Sequence, residues 1–328
     1  MTSREPQSPV KVGVVGMGRF GRLHSLTLQG LAEAELVGIV ARRQESLDDV
    51  AADLAGIPGW LNLQQAIEES GADAWVVACT TADHVVVTRA LLEAGKTVLL
   101  EKPVANSLPD ALSLEPLVRD DSSNLMIGHI VLFNSEFLQL MEEAERRGPL
   151  TYINCVRHRP ASILKDFPDE NPLHAAMVHD LYATQALVKS AEPSHFSAQY
   201  HRTPDGAIDI ALAQLAWDNG PLASFAASYA TPGGMPPRGF DRTEVFGEGW
   251  SARIHPNPRP IEAWGDQAEW PMALEIRAGE GAATGMMAEE LRCFCRVAQG
   301  QVAVPAGATY QDAIQVQRWM DKLDEVAD

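Results

Sequence analysis

Three glycines near the start of the chain have the spacing of a phosphate-binding turn. The segment Gly16-Met17-Gly18-Arg19-Phe20-Gly21 follows the apolar run Val10 to Val15 and precedes a helical pattern. In such a turn, the first glycine permits a tight bend, the second lets the backbone approach a pyrophosphate, and the third lets the helix pack close to the strand. The amides of Arg19 and Phe20 would then open a helix whose N-terminus attracts the anion. The alternative is an ordinary glycine-rich turn, and the alternating pattern around it favours a dinucleotide.

The residues after the second apolar run bear on the choice of dinucleotide. NAD sites usually place a carboxylate there, opposite the ribose hydroxyls. Here the run ends Ile39-Val40-Ala41-Arg42-Arg43. Two guanidinium groups can neutralise a 2′-phosphate and stack on adenine. The sequence therefore predicts NADP as the cofactor, with NAD possible, although solvated surface charges would give the same pattern.

Polar groups also follow two later strands. Thr80 and Thr81 come at the end of one apolar run and offer hydroxyls near a cofactor, and Glu101-Lys102-Pro103 ends the next run. A lysine at that place, followed by a proline that fixes the chain, could point its ammonium at the nicotinamide. There it could donate to a substrate oxygen, or transfer a proton if burial lowers its pKa. Taken singly, a surface lysine is the simpler interpretation.

The elements that must position these residues alternate between strand and helix. Strands separated by helices imply a parallel, doubly wound α/β sheet, on which ligands bind at the carboxyl ends of the strands. We expect strands at residues 10–15, 36–40, 74–79 and 97–100, and helices at residues 46–54 (with Ser46 as N-cap), 64–69 and 85–94.

The second half of the chain has a different pattern. Strands predicted at residues 152–156, 196–201, 208–217 and 222–229 follow each other in part through short turns such as Asp218-Asn219-Gly220-Pro221, which implies antiparallel neighbours. Residues 231–239 are rich in proline and glycine and are expected to form a loop.

These residues together resemble the Gfo/Idh/MocA oxidoreductases. The resemblance is carried by the glycine turn, His24, Ala72-Asp73-Ala74-Trp75-Val76-Val77-Ala78-Cys79-Thr80, His84, Ala94-Gly95-Lys96-Thr97-Val98-Leu99-Leu100-Glu101-Lys102-Pro103, Ile127-Gly128-His129-Ile130-Val131-Leu132-Phe133-Asn134, Met177-Val178-His179-Asp180-Leu181 and Val245-Phe246-Gly247-Glu248-Gly249. It implies an NAD(P)-binding Rossmann domain (residues 1–125). It also implies an α/β domain with a large, mostly antiparallel open sheet (residues 126–328), whose C-terminal helices pack back on the first domain. Members usually form dimers or tetramers, so we expect a homodimer or homotetramer.

The resemblance also implies the catalytic residues. Lys102 matches the lysine that polarises the reacting oxygen, and His179 matches the histidine that moves the hydroxyl proton. Glu101 would brace the loop, and His84 would belong to the cofactor site. Many members carry an aspartate four residues before the histidine, where this chain has Ala175.

Candidates for substrate contact come from the same comparison and from a basic segment. A related subgroup, which includes 3-dehydrogenases of nucleotide sugars, has other residues at Leu132, Ser135 and Tyr182. Tyr182 and His174 are candidates to replace a missing polar contact, and His129 is a further one. Arg157 lies in Arg157-His158-Arg159-Pro160, which could bind a substrate anion or form a solvated basic turn.

Composition excludes several classes of protein. The 328 residues are 46% hydrophobic and 21% charged, an ordinary globular composition, and the formal charge is 26 − 44 = −18. An acidic surface disfavours nucleic acids and anionic membranes as partners. The cysteines form no C-x-x-C pair or His/Cys cluster, so no metal is predicted. Residues 1–9 lack an apolar signal segment, and no apolar run approaches about 18 residues, so we expect a cytoplasmic protein.

The sequence thus predicts an NAD(P)-dependent oxidoreductase that moves a hydride between nicotinamide and a hydroxyl or carbonyl carbon of a sugar, polyol or sugar derivative. One alternative is a reductase of a non-carbohydrate carbonyl. The other is a cofactor-binding regulatory protein without turnover, which Ala175 keeps open.

Overall fold

The chain folds into two compact units. The computed structural model describes residues 8–162, 171–232, 239–256, 263–264, 266, 268–269, 276–277 and 283–327. The first unit comprises Met1–Ile130 and Glu275–Ile314, and the second comprises Val131–Leu274 and Gln315–Asp328. Within the described ranges, no helix is long and apolar enough to cross a membrane.

A parallel sheet forms the centre of the first unit. Its strand order is β3-β2-β1-β4-β5-β6, and every pair of neighbours is parallel. The strand order reverses between β1 and β4, which is where ligands bind on sheets of this kind. The elements of this unit are β1 (Val10–Val15), α1 (Arg19–Gln29), β2 (Ala34–Val40), α2 (Gln44–Asp48), β3 (Gly59–Trp60), α3 (Leu63–Glu69), β4 (Ala74–Val77), α4 (Thr81–Glu93), β5 (Thr97–Glu101), α5 (Leu108–Leu112), β6 (Leu125–Gly128), β15 (Ile276–Arg277), β16 (Thr284–Gly285) and α8 (Met286–Ala298).

The second unit contains a mixed sheet. Its order is β12-β11-β7-β10-β9-β8, in which β7 and β10 are parallel and the other neighbours are antiparallel. The predicted α/β fold with a mostly antiparallel second sheet is confirmed. The elements are α6 (Ser135–Arg147), β7 (Leu150–Pro160), α7 (Val178–Leu187), β8 (His195–Arg202), β9 (Ile208–Ala216), β10 (Leu222–Thr231), β11 (Phe240–Gly247), β12 (Trp250–Ile254), β13 (Ala263–Trp264), β14 (Ala268–Glu269) and, from residue 315 onward, α9 (Tyr310–Val326).

The two faces of this second sheet have different environments. Ile153 of β7 and Phe225 of β10 are buried, whereas Tyr152 of β7 and Leu222 of β10, which are paired in register, are 36% and 59% exposed. Side chains of a strand alternate between faces, so one face forms the core and the other is open.

Two helices begin earlier than their sequence patterns indicate. Residue Arg43, not Ser46, occupies the N-cap position of α2, and this helix ends at Asp48. Helix α4 begins at Thr81 behind Thr80. In both cases the polar residues that follow the strand already belong to the first turn of the helix. The first turn is defined by its free backbone amides and not by apolar side chains, so the apolar pattern does not mark its start.

The domain boundary differs from the predicted one. Residue 125 begins β6, which pairs with β5 and therefore belongs to the first sheet. The helix that contains Trp319 lies mostly in the second unit, where the Trp319 ring contacts Trp217 at 5.9 Å. Within two further segments singled out in the sequence, residues 1–7 and 233–238 lie outside the described residues.

Candidate active site

The glycine turn joins β1 to α1 through backbone that needs glycine. Gly16 has a φ of +98°, and a Cβ at this position would lie 2.6 Å from the carbonyl oxygen of Ala78. A Cβ on Gly21 would overlap the carbonyl oxygen of Gly16. These two glycines therefore let the turn lie against β4 and the helix lie against the turn.

Gly18 faces open space. A Cβ at Gly18 would have no described atom within 4 Å, and the φ of −73° suits any residue. The backbone conformation and the packing of the described residues therefore do not require glycine here. It occupies the N-cap of α1, where no described side chain caps the helix. The first-turn amides, which include those of Arg19 and Phe20, have no intrahelical acceptor, and the first turn carries no acidic residue. The turn therefore fits an anion such as the pyrophosphate of a dinucleotide.

Arg42 and Arg43 follow β2 and are exposed. Arg42 lies 3.6 Å from the carboxylate of Asp83, in the first turn of α4. That carboxylate also accepts a hydrogen bond of 2.8 Å from the hydroxyl of Thr80. Asp83 was missed in the sequence because it lies far along the chain from the arginines, and it removes part of the positive charge offered to a 2′-phosphate.

His84 connects two loops at the carboxyl edge of the sheet. Its ring is buried, with Nδ1 2.8 Å from the carbonyl oxygen of Pro103 and Nε2 3.2 Å from that of Cys79. Burial lowers the pKa of His84. Its ring nitrogens thus face protein carbonyls, and it supports the loops that carry Thr80 and Lys102.

Cys79 has no activated thiol. Burial and the charge of Asp83 raise its pKa to about 12. The thiol is therefore protonated at neutral pH and is not activated as a nucleophile.

Glu101 is held by a histidine of the glycine-turn helix. Its Oε1 lies 2.7 Å from Nε2 of His24, which is fully buried in α1. Glu101 is the last residue of β5, and Lys102 follows it directly through a loop whose Lys102–Pro103 peptide is cis. The Glu-Lys-Pro loop is therefore anchored to α1. Like the glycine turn, it lies at the carboxyl ends of the parallel strands.

In the second unit, His179 is the second residue of α7. A π-helical segment, Leu173–Met177, precedes this helix and contains Ala175. Such segments are uncommon and frequently occur at functional sites. His179 is half-buried, whereas Val178 and Asp180 on either side are buried.

Arg157 does not act as a surface anion site. Its guanidinium is 4% exposed and donates to Asp180 at 2.8 and 3.1 Å and to Asp241 at 2.8 Å. These carboxylates occupy the Nε, NH1 and NH2 directions, so the predicted contact with a substrate anion is corrected to a buried ion network. Burial raises the pKa of Asp180; in Asp241, Arg157 and Arg159 outweigh burial and lower the pKa.

Three other residues predicted to contact substrate are buried or are hydrogen-bonded within the protein. Tyr182 is 1% exposed and His129 is fully buried. His174 lies 2.6 Å from Asp324, which also accepts a hydrogen bond from Tyr200. Substrate contact by these three residues stays a prediction.

Part of the chain matches a known protein family. Residues 10–129 match a family model described as Gfo/Idh/MocA oxidoreductases with an NAD-binding Rossmann fold. The matched segment is less than half of the chain, and it is similar to this family in the way that the sequence motifs indicate. An inositol 2-dehydrogenase of Saccharopolyspora erythraea is 32% identical over 186 residues, which span 55% of this chain and 55% of that relative. A UDP-N-acetylglucosamine 3-dehydrogenase of Acidithiobacillus ferrooxidans is 27% identical over 67% of each chain.

A solved structure supports the fold along the whole chain. The crystal structure of GenD2 from gentamicin A biosynthesis, in complex with NAD, has a TM-score of 0.83 and covers 99% of this chain and 97% of its own. The sequence identity between the two chains is 19%, so the similarity supports the fold alone. The match over residues 10–129 agrees with the predicted resemblance to NAD-binding oxidoreductases.

Proposed function

We propose that this protein is an NAD(P)-dependent dehydrogenase of a polyol, a sugar or a sugar derivative. The observation that carries the proposal is the open backbone at Gly18, at the N-terminus of α1, with Lys102 directly after β5 of the same parallel sheet, in which β4 separates β5 from β1. Both named curated relatives oxidise a hydroxyl-bearing carbon, one in an inositol and one in a nucleotide sugar.

In this proposal the protein orients the substrate and moves a proton. When bound, the nicotinamide ring accepts or supplies the hydride. Lys102 donates to the reacting oxygen and stabilises negative charge on it. The His179 imidazole takes the hydroxyl proton during oxidation and returns it during reduction, since a histidine titrates near neutral pH.

The cofactor preference is proposed to be NADP over NAD. Arg42 and Arg43 are exposed after β2, and the sequence Ala41-Arg42-Arg43 offers no carboxylate to the ribose hydroxyls. Asp83 moderates this preference through its contact with Arg42. Fluorescence titrations with NADPH and NADH test it: Arg42→Ala should lower the affinity for NADPH more than that for NADH, and an unchanged ratio would refute the assignment.

Turnover tests the function as a whole. The purified chain is assayed by nicotinamide absorbance with inositols, sugars, nucleotide sugars and non-carbohydrate carbonyls. Lys102→Ala and His179→Ala should abolish turnover, whereas the exposed controls Lys189→Ala and His195→Ala should retain it. Turnover of only a non-carbohydrate carbonyl favours that alternative.

A binding protein without turnover is the second candidate. Ala175 favours it, because the family position often holds an aspartate that would support the histidine. Tight nucleotide binding with no turnover on any substrate would support it. Restoration of turnover by Ala175→Asp would show that this position limits the chemistry.

Self-association through the open face of the second sheet is also proposed. Exposed apolar side chains lie on that face at Tyr152, Leu212, Leu222 and Phe246. An apolar face of this kind is typical of an interface. Light scattering after gel filtration should show a dimer or tetramer, and Leu222→Glu should dissociate it. A monomeric wild-type chain would refute this.

A cytoplasmic location stays a prediction from the sequence.

A further inference from the structure

Glu290 is a buried acid that the proposed reaction does not use. It lies on α8, is 0% exposed, and neither of its carboxyl oxygens has a hydrogen-bond partner among the described residues. An ionised carboxylate in such surroundings is costly unless a cation or a donor compensates it. The residue therefore requires an explanation from its neighbours.

Its neighbours are the pair that anchors the Glu-Lys-Pro loop. Ligating atoms of His24, Glu101 and Glu290 all lie within 4.8 Å of one another, and all three residues belong to the first unit. The Nε2 of His24 is bonded to Oε1 of Glu101 at 2.7 Å. Glu290 thus brings a second carboxyl group to a histidine–carboxylate pair.

The hydrogen-bond inventory of this cluster has one donor too few. A carboxylate only accepts, so Nε2 of His24 donates to Glu101, and Nδ1 of a neutral ring is then an acceptor. That Nδ1 is buried without a partner among the described residues. A protonated Glu290 would add a donor to the cluster, directed at the Glu101 carboxylate.

We propose that Glu290 is a positioning residue, whose neutral carboxyl group donates a hydrogen bond to the His24–Glu101 pair and so holds the backbone from which Lys102 extends. The catalytic consequence rests on the proposed function, because it concerns the lysine assigned to the reacting oxygen. The protonation itself can be tested without turnover.

The charges around Glu290 favour the neutral form. Burial and the negative charge of Glu101 raise the pKa of Glu290 well above that of an ordinary glutamate. Among the described residues, the titratable groups near it are His24 from α1, Glu101 from β5 and Cys293 from its own helix. A metal ion is the competing way to balance two carboxylates, but Nε2 of His24 and Oε1 of Glu101 already share a hydrogen bond of 2.7 Å.

The test compares Glu290→Gln, which keeps a donor, with Glu290→Leu, which removes it. The exposed neighbour Glu289→Gln is the matched control. Infrared spectra of the full chain should contain a protonated-carboxyl C=O band that disappears in Glu290→Gln and persists in the control. Glu290→Leu should lower kcat about tenfold, the factor that corresponds to one lost hydrogen bond, while Glu290→Gln stays near the wild-type value.

Stability gives a second measurement that does not depend on turnover. Because the folded pKa is raised, protonation stabilises the fold at low pH, and this contribution is lost as the pH rises through the folded pKa. The melting temperature of the wild type should therefore fall relative to Glu290→Gln as the pH rises, and that of Glu289→Gln should follow the wild type.

The outcomes are separable from those of the proposed function. An infrared spectrum unchanged in Glu290→Gln, or parallel pH–stability curves for that variant and the wild type, would overturn the protonated state. Stoichiometric metal in the purified chain, lost in Glu290→Gln, would also overturn it. A wild-type protein with the band but no turnover refutes the proposed function and leaves the protonated state in place, whereas an unchanged kcat in Glu290→Leu refutes the positioning role. If Glu290→Leu does not fold, the comparison of Glu290→Gln with the wild type still decides the protonated state.

Discussion

Arg157 holds Asp180 through two hydrogen bonds of 2.8 and 3.1 Å, and Asp180 directly follows the proposed proton-transfer residue His179. The arginine lies on β7 and the aspartate in the first turn of α7. The ion pair thus fixes the start of the helix that carries His179 to the sheet of the second unit. A group buried to this extent acts on chemistry through position and not through contact with substrate.

Removal of this arginine should destabilise the fold. Arg157→Met leaves the carboxylates of Asp180 and Asp241 buried without their shared partner, and breaking such pairs costs about 3–5 kcal/mol. Denaturant unfolding followed by circular dichroism measures the loss. The control Arg242→Met removes a half-buried charge on the neighbouring strand, paired with Glu244, and should cost less. Equal stability of the two variants would contradict the network.

The glycine turn permits a sharper test of cofactor binding. Gly18→Ala fits the backbone of the apo fold but fills the open space, so it should weaken NADPH and NADH binding with little change in melting temperature. Gly16→Ala should lower the melting temperature, because its φ is +98° and its Cβ would lie 2.6 Å from a backbone oxygen. Fluorescence titration and thermal melts separate the two effects. Undiminished nucleotide affinity in Gly18→Ala would contradict the site.

The sequence predicted those parts of the site that depend on local pattern. The glycine turn and β1 follow from residue type and spacing, because a buried strand and a tight turn leave few alternatives. The substrate candidates Arg157 and Tyr182 could not be judged in this way. Whether an arginine is solvated or buried depends on carboxylates such as Asp241, which lies 84 residues away along the chain.

Long-range pairs also explain what the sequence missed. Asp83 and Glu290 acquire their importance from Arg42 and Glu101, which come from other elements. No local spacing marks such a pair. The differences in element ends are smaller: β2 begins two residues before its predicted start, and α4 begins at Thr81 instead of residue 85. Capping and strand pairing set these ends, and apolar periodicity does not show them.

Neutralising Asp83 should shift the cofactor preference toward NADPH. Asp83→Asn removes the negative charge 3.6 Å from Arg42 but keeps an oxygen for the Thr80 hydroxyl. Exposed ion pairs are worth about 0.2–1 kcal/mol, so the ratio of NADPH to NADH affinity should rise by no more than about fivefold. The double variant with Arg42→Ala should lose this gain. Asp48→Asn, an exposed aspartate on α2, is the control, and an equal shift there would indicate a general charge effect.

His84 should make the fold sensitive to acid. Burial lowers its pKa in the folded protein, so the folded state favours the neutral ring and the unfolded state binds the proton more readily. The stability due to the neutral ring is therefore present above the ordinary histidine pKa of about 6.5 and is lost as the pH falls through the folded pKa. Thermal melts across this range should show a smaller acid loss in His84→Gln than in the wild type. The control His201→Gln changes an exposed histidine paired with Asp209 and should follow the wild type. A His84→Gln curve parallel to that of the wild type would contradict the lowered pKa of His84.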